Sequence, residues 1–328
     1  MSHHHTTAQN ERRGLWLGLL GVAIFAITLP MTRLATGTAD APQLSPWFVT
    51  LARAALAGGL SILFLLATRS RWPTAAERKP LALAAVGNAL GFPLLIGFAL
   101  RHISASHAAV TIALLPLATA AVAALVLHQR ARLGFWISAL LGASLVVAFS
   151  LFRASQHPGG LALEWADLLM VGAVLSAALG YVYGAKVTPT LGAEQVICWV
   201  CVLALPVTLP GAWLTWPTQA IQTSSWLALG YVGVFSMWAG FFAWYRGLAL
   251  GGTLKVSQVQ LLQPFLSILA AVPLLGESLD WVTVGFALAV VATVFTGKRL
   301  ASSPAPTLAA ATLATPAQPA SPLTGAQA

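Results

Sequence analysis

Residues 106–127, SHAAVTIALLPLATAAVAALVL, and residues 253–274, TLKVSQVQLLQPFLSILAAVPL, repeat one pattern: a long apolar run with a proline at its middle. Each run is long enough to be a membrane helix, since about 20 mostly apolar residues cross roughly 30 Å of hydrocarbon. Sliding the chain against itself by 148 residues lays Pro116 on Pro264. The surroundings then agree in kind. Seventeen residues before the two prolines stand Ala99-Leu100 and Gly247-Leu248, and beyond them come Leu127-His128-Gln129 and Leu275-Gly276-Glu277.

Working outward from these two runs, the rest of the chain divides in the same way. Ten apolar windows are found, at 14–34, 46–68, 81–100, 106–127, 133–152, 165–187, 193–214, 225–247, 253–274 and 280–297. Long unbroken apolar runs predict helices, because the strands of a membrane barrel alternate apolar and polar residues over about ten positions. Composition agrees: 8% of residues are charged, 58% are apolar, and the mean hydropathy is +0.82. A water-soluble domain carries about a quarter charged residues, so a cytosolic enzyme, a secreted disulfide scaffold and a disordered interaction protein are excluded. The expected fold is an all-α membrane protein. Its ten transmembrane helices form a five-helix unit at 14–152 and a second at 165–297, with a disordered N-tail at 1–13 and a disordered C-tail at 301–328. Five being odd, the second unit enters the membrane from the opposite side, so the repeats are inverted. Inverted repeats give two nearly equivalent conformations about a midplane site.

The formal charge of +9 is explained by topology rather than by nucleic acid. With a cytoplasmic N-terminus, thirteen of the seventeen Lys and Arg fall at inner ends or inner loops. Arg33, Arg101 and Arg153 fall outside, and Arg53 lies within a span. That bias follows the positive-inside rule and places the chain in a bacterial-type cytoplasmic membrane with both termini cytoplasmic. The partners expected are lipid and a small-molecule substrate, with no nucleic acid; a monomer and a homodimer both fit.

These features together resemble the drug/metabolite transporter superfamily in its EamA-type, ten-helix form. The resemblance covers residues 14–297 and is carried by Arg53 in Leu51-Ala52-Arg53-Ala54, the midspan prolines, Gly276-Glu277 and the duplicated five-span unit. It departs at His128-Gln129, where the second copy has Gly276-Glu277. The resemblance implies a central cavity built by spans one to four and six to nine, and export of amino acids or other small metabolites. Nucleotide-sugar or multidrug carriage, and a metabolite sensor that transports nothing, are the other readings.

Polar residues inside the spans are the candidate site. An Arg near the bilayer centre costs about 2.5–3.5 kcal/mol, so it faces protein or water. Arg53 is therefore expected to contact an anion or carboxylate, to pair as a gate with Asp40, Asp167 or Glu277, or to snorkel outward or cap helix carbonyls and fix the bundle. Gln260, Gln263 and Ser267 share one helical face beside Pro264, suited to a cavity or to interhelical hydrogen bonds. Asn88 in span three and Tyr183 in span six are further candidate ligands. In span eight Ser236 belongs to a small-residue face, and Trp238 to an aromatic stripe with Tyr231 and Tyr245. Gly87-x-x-x-Gly91, Gly247-x-x-x-Gly251 and the glycines beside Ser176 are read as helix-packing sites, and His107 as a hydrogen-bonded interface residue. Prolines 30, 93, 116 and 264 are expected to bend their helices.

Neither a cofactor nor a metal is expected. His3, His4 and His5 lack further ligands, and Cys198-x-x-Cys201 lies in an apolar span without a redox or zinc context. All eight acids stand in tails, loops or span ends. No phosphate-binding loop, nucleophile elbow or zinc-protease motif occurs, so no enzyme is indicated.

Overall fold

The computed structural model describes residues 2–126, 133–155, 165–251 and 258–302. Among these there is no strand; an isolated bridge joins Gly37 to Pro42. The helical segments are α1 (Ser2–Ala26 continuing as Thr28–Thr36), α2 (Pro46–Ala67) and α3 (Ala75–Ala84, Ala85–Gly91 and Phe92–Ala99). They continue with α4 (Ala105–Ile112 and Leu115–Val126), α5 (Leu133–Ser155), α6 (Trp165–Leu191) and α7 (Ala193–Leu214). The last three are α8 (Thr223–Tyr231, Val232–Ala239 and Gly240–Gly251), α9 (Gln258–Leu262 and Gln263–Leu275) and α10 (Trp281–Ser302). Seven are long and apolar enough to cross a membrane, and α5, α9 and α10 carry the shorter apolar stretches Trp136–Phe149, Val259–Leu275 and Trp281–Thr296.

The chain is helical from Ser2, so residues 2–13 prolong α1 where an unstructured tail was expected. No proline or glycine stands between Ser2 and Arg13 to stop the helix. The expected C-tail keeps Ala301 and Ser302 in α10, and its remaining residues lie outside the described ones, as do His128, Gln129 and Lys255.

The packing has an internal two-fold logic. α1 lies along α8 and α3 along α6, which are equivalent pairs under exchange of the halves. α2 packs on α7, α4 on α9 and α5 on α10, each a helix against its own counterpart. Small residues set the closest of these approaches, as is usual where helices meet in lipid. A Cβ on Gly247 would meet Gly18 N at 2.7 Å and Gly14 O at 2.9 Å across the α1–α8 seam. In the α3–α6 seam a Cβ on Gly87 would meet Ser176 O at 2.6 Å, and one on Gly180 would collide with the Asn88 amide. The glycines are thus helix-packing surfaces.

Neither seam is built of uniform helix. Ala85–Gly91 in α3 and Val232–Ala239 in α8 have the wider π winding, and both end in an amide bonded five residues back: Phe92 N to Gly87 O, and Gly240 N to Phe235 O. The 148-residue shift that superposes Pro116 on Pro264 also lays Gly91 on Ala239, so the two π segments are repeat equivalents. The four prolines fall in the first turn after a break: Pro30 after Ile27, Pro93 after the first π segment, Pro116 after Leu114, and Pro264 after the 3-10 turn. Each proline removes an amide that would otherwise pair with a carbonyl one turn back, so it stands where the winding is already interrupted.

Gly247→Val should force α1 and α8 apart and cost about 1–3 kcal/mol, as overpacking does, whereas Gly285→Ala, with nothing within 4 Å of its new Cβ, should be neutral. Thermal denaturation followed by size exclusion in detergent checks this. Equal melting temperatures for the two variants would contradict the close α1–α8 seam.

Candidate functional site

The helix breaks converge on one cavity, of about 40 Å³, between the two halves. Its aromatic wall is Phe25, Phe92, Tyr181 and Phe241; its polar groups are Thr28, Asn88, Ser236 and Gln263, with Arg53 as its cation. At roughly 10–15 Å³ per water centre it holds a few waters and no metabolite.

The polar groups are placed by the breaks. Thr28 opens the second half of α1, and Asn88 and Ser236 lie within the two π segments. Asn88 and Ser236 are also 148 residues apart, so the two halves contribute equivalent positions to the same hollow. The hydroxyls of Thr28 and Ser236 are hydrogen-bonded at 2.8 Å, joining α1 to α8. Arg53 is 2% exposed and donates through Nη2 to Ser236 Oγ at 3.2 Å. Its Nε and Nη1 are buried with no hydrogen-bond partner.

Arg53 meets none of the three acids expected as its gate partners. Asp167 Oδ1 lies 2.8 Å from His107 Nε2, at the α4–α6 contact. Glu277 Oε1 accepts from Ala105 N at 2.7 Å and Oε2 from Ser106 N at 3.0 Å, so this carboxylate caps the N-terminus of α4. Gly276 makes that reach feasible: with φ 67° and ψ 21° it ends α9 in the left-handed conformation that glycine adopts without strain. Asp40 stands in the α1–α2 connection, away from the cavity lining.

The other predicted residues divide between the cavity and its supports. Gln263 lines the cavity, while Gln260 lines a smaller void with Pro116 and Pro264. Ser267 Oγ donates to Ala26 O at 2.7 Å. Ala26 is four residues before Pro30, so this hydroxyl takes the carbonyl whose amide partner the proline removed. Trp238 packs edge-on against Phe64 and Phe242, and the Tyr231 hydroxyl donates to Ile24 O at 2.9 Å. Tyr183 packs in the hydrophobic cluster around Trp199, and Tyr181 lines the cavity in its place. The π segment shifts the faces of α8: one extra residue in a turn rotates everything beyond it, so 3.6-residue spacing cannot tell that Ser236 and Met237 face the hollow and Trp238 does not. Thr28, Phe25 and Phe92 were missed; the signal available was their closeness to Pro30 and Pro93. Cys198 and Cys201 are buried free thiols, and no group of three metal-ligating side chains occurs among the described residues.

Contacts between the halves join the helix ends on both sides of the cavity. At the end away from the termini, besides the Glu277 cap, Ser225 Oγ donates to Leu34 O at 2.8 Å, linking α8 to α1. Arg33 braces the same end from within the first half, donating through Nη1 to Leu100 O at 2.7 Å and to Ile103 O. At the termini end, Arg71 grips Glu77 with two hydrogen bonds of 2.7 and 2.9 Å and donates to Thr190 O at 3.0 Å. Thr190 in turn donates to Glu77 at 2.6 Å, so α6 is locked to the α2–α3 connection. The charged hydrogen bond to Glu77 raises the Arg71 pKa.

The profile of the EamA-like transporter family matches this chain twice, at residues 12–151 and 164–296. A protein of Bacillus subtilis (strain 168) named uncharacterized transporter YdeK is 41% identical over 295 residues, covering 89% of this chain and 99% of its own length. A protein of known crystal structure with 19% identity superposes with a TM-score of 0.57 over 88% of this chain and 96% of its own; that likeness concerns the fold alone.

Ser267→Ala should cost about 1 kcal/mol and Glu277→Ala about 1–2 kcal/mol, read as lowered unfolding midpoints in mixed micelles. Unchanged midpoints would mean that neither the Ala26 carbonyl nor the α4 N-terminus depends on these side chains.

Proposed function

The chain belongs to the EamA-like transporter family, within the drug/metabolite transporter superfamily, and from that premise we propose that it is a secondary transporter exporting a small metabolite, an amino acid or a comparably amphipathic compound. One observation carries the proposal: a polar and aromatic hollow lined from both halves, with contacts between those halves joining the helix ends on either side of it. In a molecule of this construction, releasing one set of ties while keeping the other opens the hollow to one side of the membrane at a time. The two sets are chemically independent, an Arg71–Glu77–Thr190 cluster at one end and the Glu277 cap with Ser225 at the other.

The distribution of basic residues supports a cytoplasmic membrane with both termini inside. The Arg71–Glu77 latch is then the cytoplasmic gate and the Glu277 cap the outer one. Arg33 and Arg101, basic residues on the outer side, both donate to backbone carbonyls at helix ends: Leu100 and Ile103 for Arg33, Leu44 for Arg101. Their structural use accounts for these exceptions to the charge rule.

Counterflow in proteoliposomes tests the reading. Vesicles loaded with an unlabelled amino acid should accumulate the labelled one transiently and saturably, and Glu77→Ala should alter the rate. Saturable binding without counterflow would instead identify a sensor, and accumulation of lipophilic cations alone would identify a multidrug carrier.

A further inference from the structure

The most unusual group in the hollow is Arg53. Of the five N–H bonds on a guanidinium, the three on Nε and Nη1 are buried without an acceptor, and Nη2 meets the Ser236 hydroxyl. A buried cation with unmet donors is among the costliest arrangements a protein can hold, and in lipid it is costlier still. Such a cost is borne where a ligand supplies the missing acceptors. No described residue lining the cavity is an acid, so the wall has one positive charge and nothing to offset it.

We infer that the substrate is recognised as a monocarboxylate, with its carboxylate seated on the unpaired N–H groups of Arg53 and its apolar body against Phe25, Phe92 and Phe241. This rests on the transport reading above and names the substrate class of that same site. A carboxylate offers two oxygens with about four acceptor positions, and Arg is the side chain whose planar donors match it. Charge sets the selectivity. One carboxylate neutralises Arg53, a diphosphate would leave a negative charge with no second cation in the wall, and a lipophilic cation would meet a like charge with no acid to hold it.

The same contact explains how binding reaches both halves. Arg53 and Thr28 belong to α2 and α1 of the first half, and Ser236 to α8 of the second. These three already form one hydrogen-bonded chain. A carboxylate inserted into it takes donors from both halves at once, and since about 40 Å³ admits no such ligand, the halves must part to receive it. An α-ammonium group would find only the neutral acceptors of Asn88, Gln263 and the hydroxyls. Amino acids and plain carboxylic acids therefore share the recognised group, and experiment separates them.

The test measures binding and flux on the same purified protein. Thermal shift in detergent is read with L-phenylalanine, 3-phenylpropionate and a panel of short apolar acids, against L-phenylalaninamide and phenethylamine, which lack the carboxylate. One or more acids should stabilise the protein, and the amide and amine should not. Stabilisation by both phenylalanine and phenylpropionate identifies the carboxylate as sufficient; stabilisation by the amino acid alone adds the ammonium to the recognised group. Arg53→Met should abolish the shift and Arg53→Lys, which keeps the charge and guards against misfolding, should weaken binding by at least about tenfold, the loss expected for charged hydrogen bonds. The inference is overturned if the amine or amide stabilises as well as the acids, if no acid in the panel stabilises, or if Arg53→Lys binds as wild type does. Arg53-dependent acid binding without counterflow would overturn transport and keep the recognition; counterflow indifferent to carboxylates would do the reverse.

Discussion

In hydrocarbon there is no water to receive a backbone amide or carbonyl, so every one that a helix break releases must find a partner in the protein. The rest of this molecule follows from that constraint. Its hollow exists because α1, α3, α4, α8 and α9 depart from regular winding near its wall, and each departure frees backbone groups where lipid could not satisfy them. The opposite half supplies partners near the breaks: Ser267 of α9 donates to the Ala26 carbonyl of α1 and Tyr231 of α8 to Ile24 O of α1, while Ser176 of α6 adds a second bond, at 3.1 Å, to Gly87 O of α3, which already accepts from Phe92 N. The α1 break is therefore held by side chains of the other half, which ties the cavity to the interface.

The pseudo-two-fold is kept where it builds the scaffold and broken where chemistry is needed. Both π segments persist, and both place a small polar side chain, Asn88 or Ser236, at the wall. Arg53 has no basic equivalent: the same shift lays it on Cys201, buried in α7. The end ties differ too, since the Glu277 cap has no described counterpart in the first half and the Arg71–Glu77 grip meets a threonine across the interface. A symmetric frame lets two conformations have similar energies; unlike ties at its ends let each be favoured separately.

Spans, duplication and inversion were legible because they depend on composition and period, which the bilayer imposes on residues whatever their neighbours. The wall was half legible. Arg53, Asn88, Ser236 and Gln263 were visible as polar residues in apolar runs, and the structure brings all four together. Tyr181 and Thr28 were not. Trp238 lies elsewhere because the π turn that contains it shifts the faces of α8 without leaving a mark in hydropathy, and Tyr183 stands two residues from Tyr181 on the unbroken α6, on a face that hydropathy does not distinguish. Glu277 shows a different limit. Gly276-Glu277 stood out as a motif, yet its work of ending one helix and capping another in the opposite half requires knowing that α9 and α4 are neighbours.

Site-directed labelling at the cavity wall measures the two-sidedness on which all of this depends. In a chain with Cys198→Ala and Cys201→Ala, Gln263→Cys should react with a membrane-impermeant thiol reagent added to either side of oriented vesicles. Bound carboxylate should slow the reaction from both sides. Reaction from one side only, under every condition of substrate and gradient, would mean that the hollow never changes the face to which it opens.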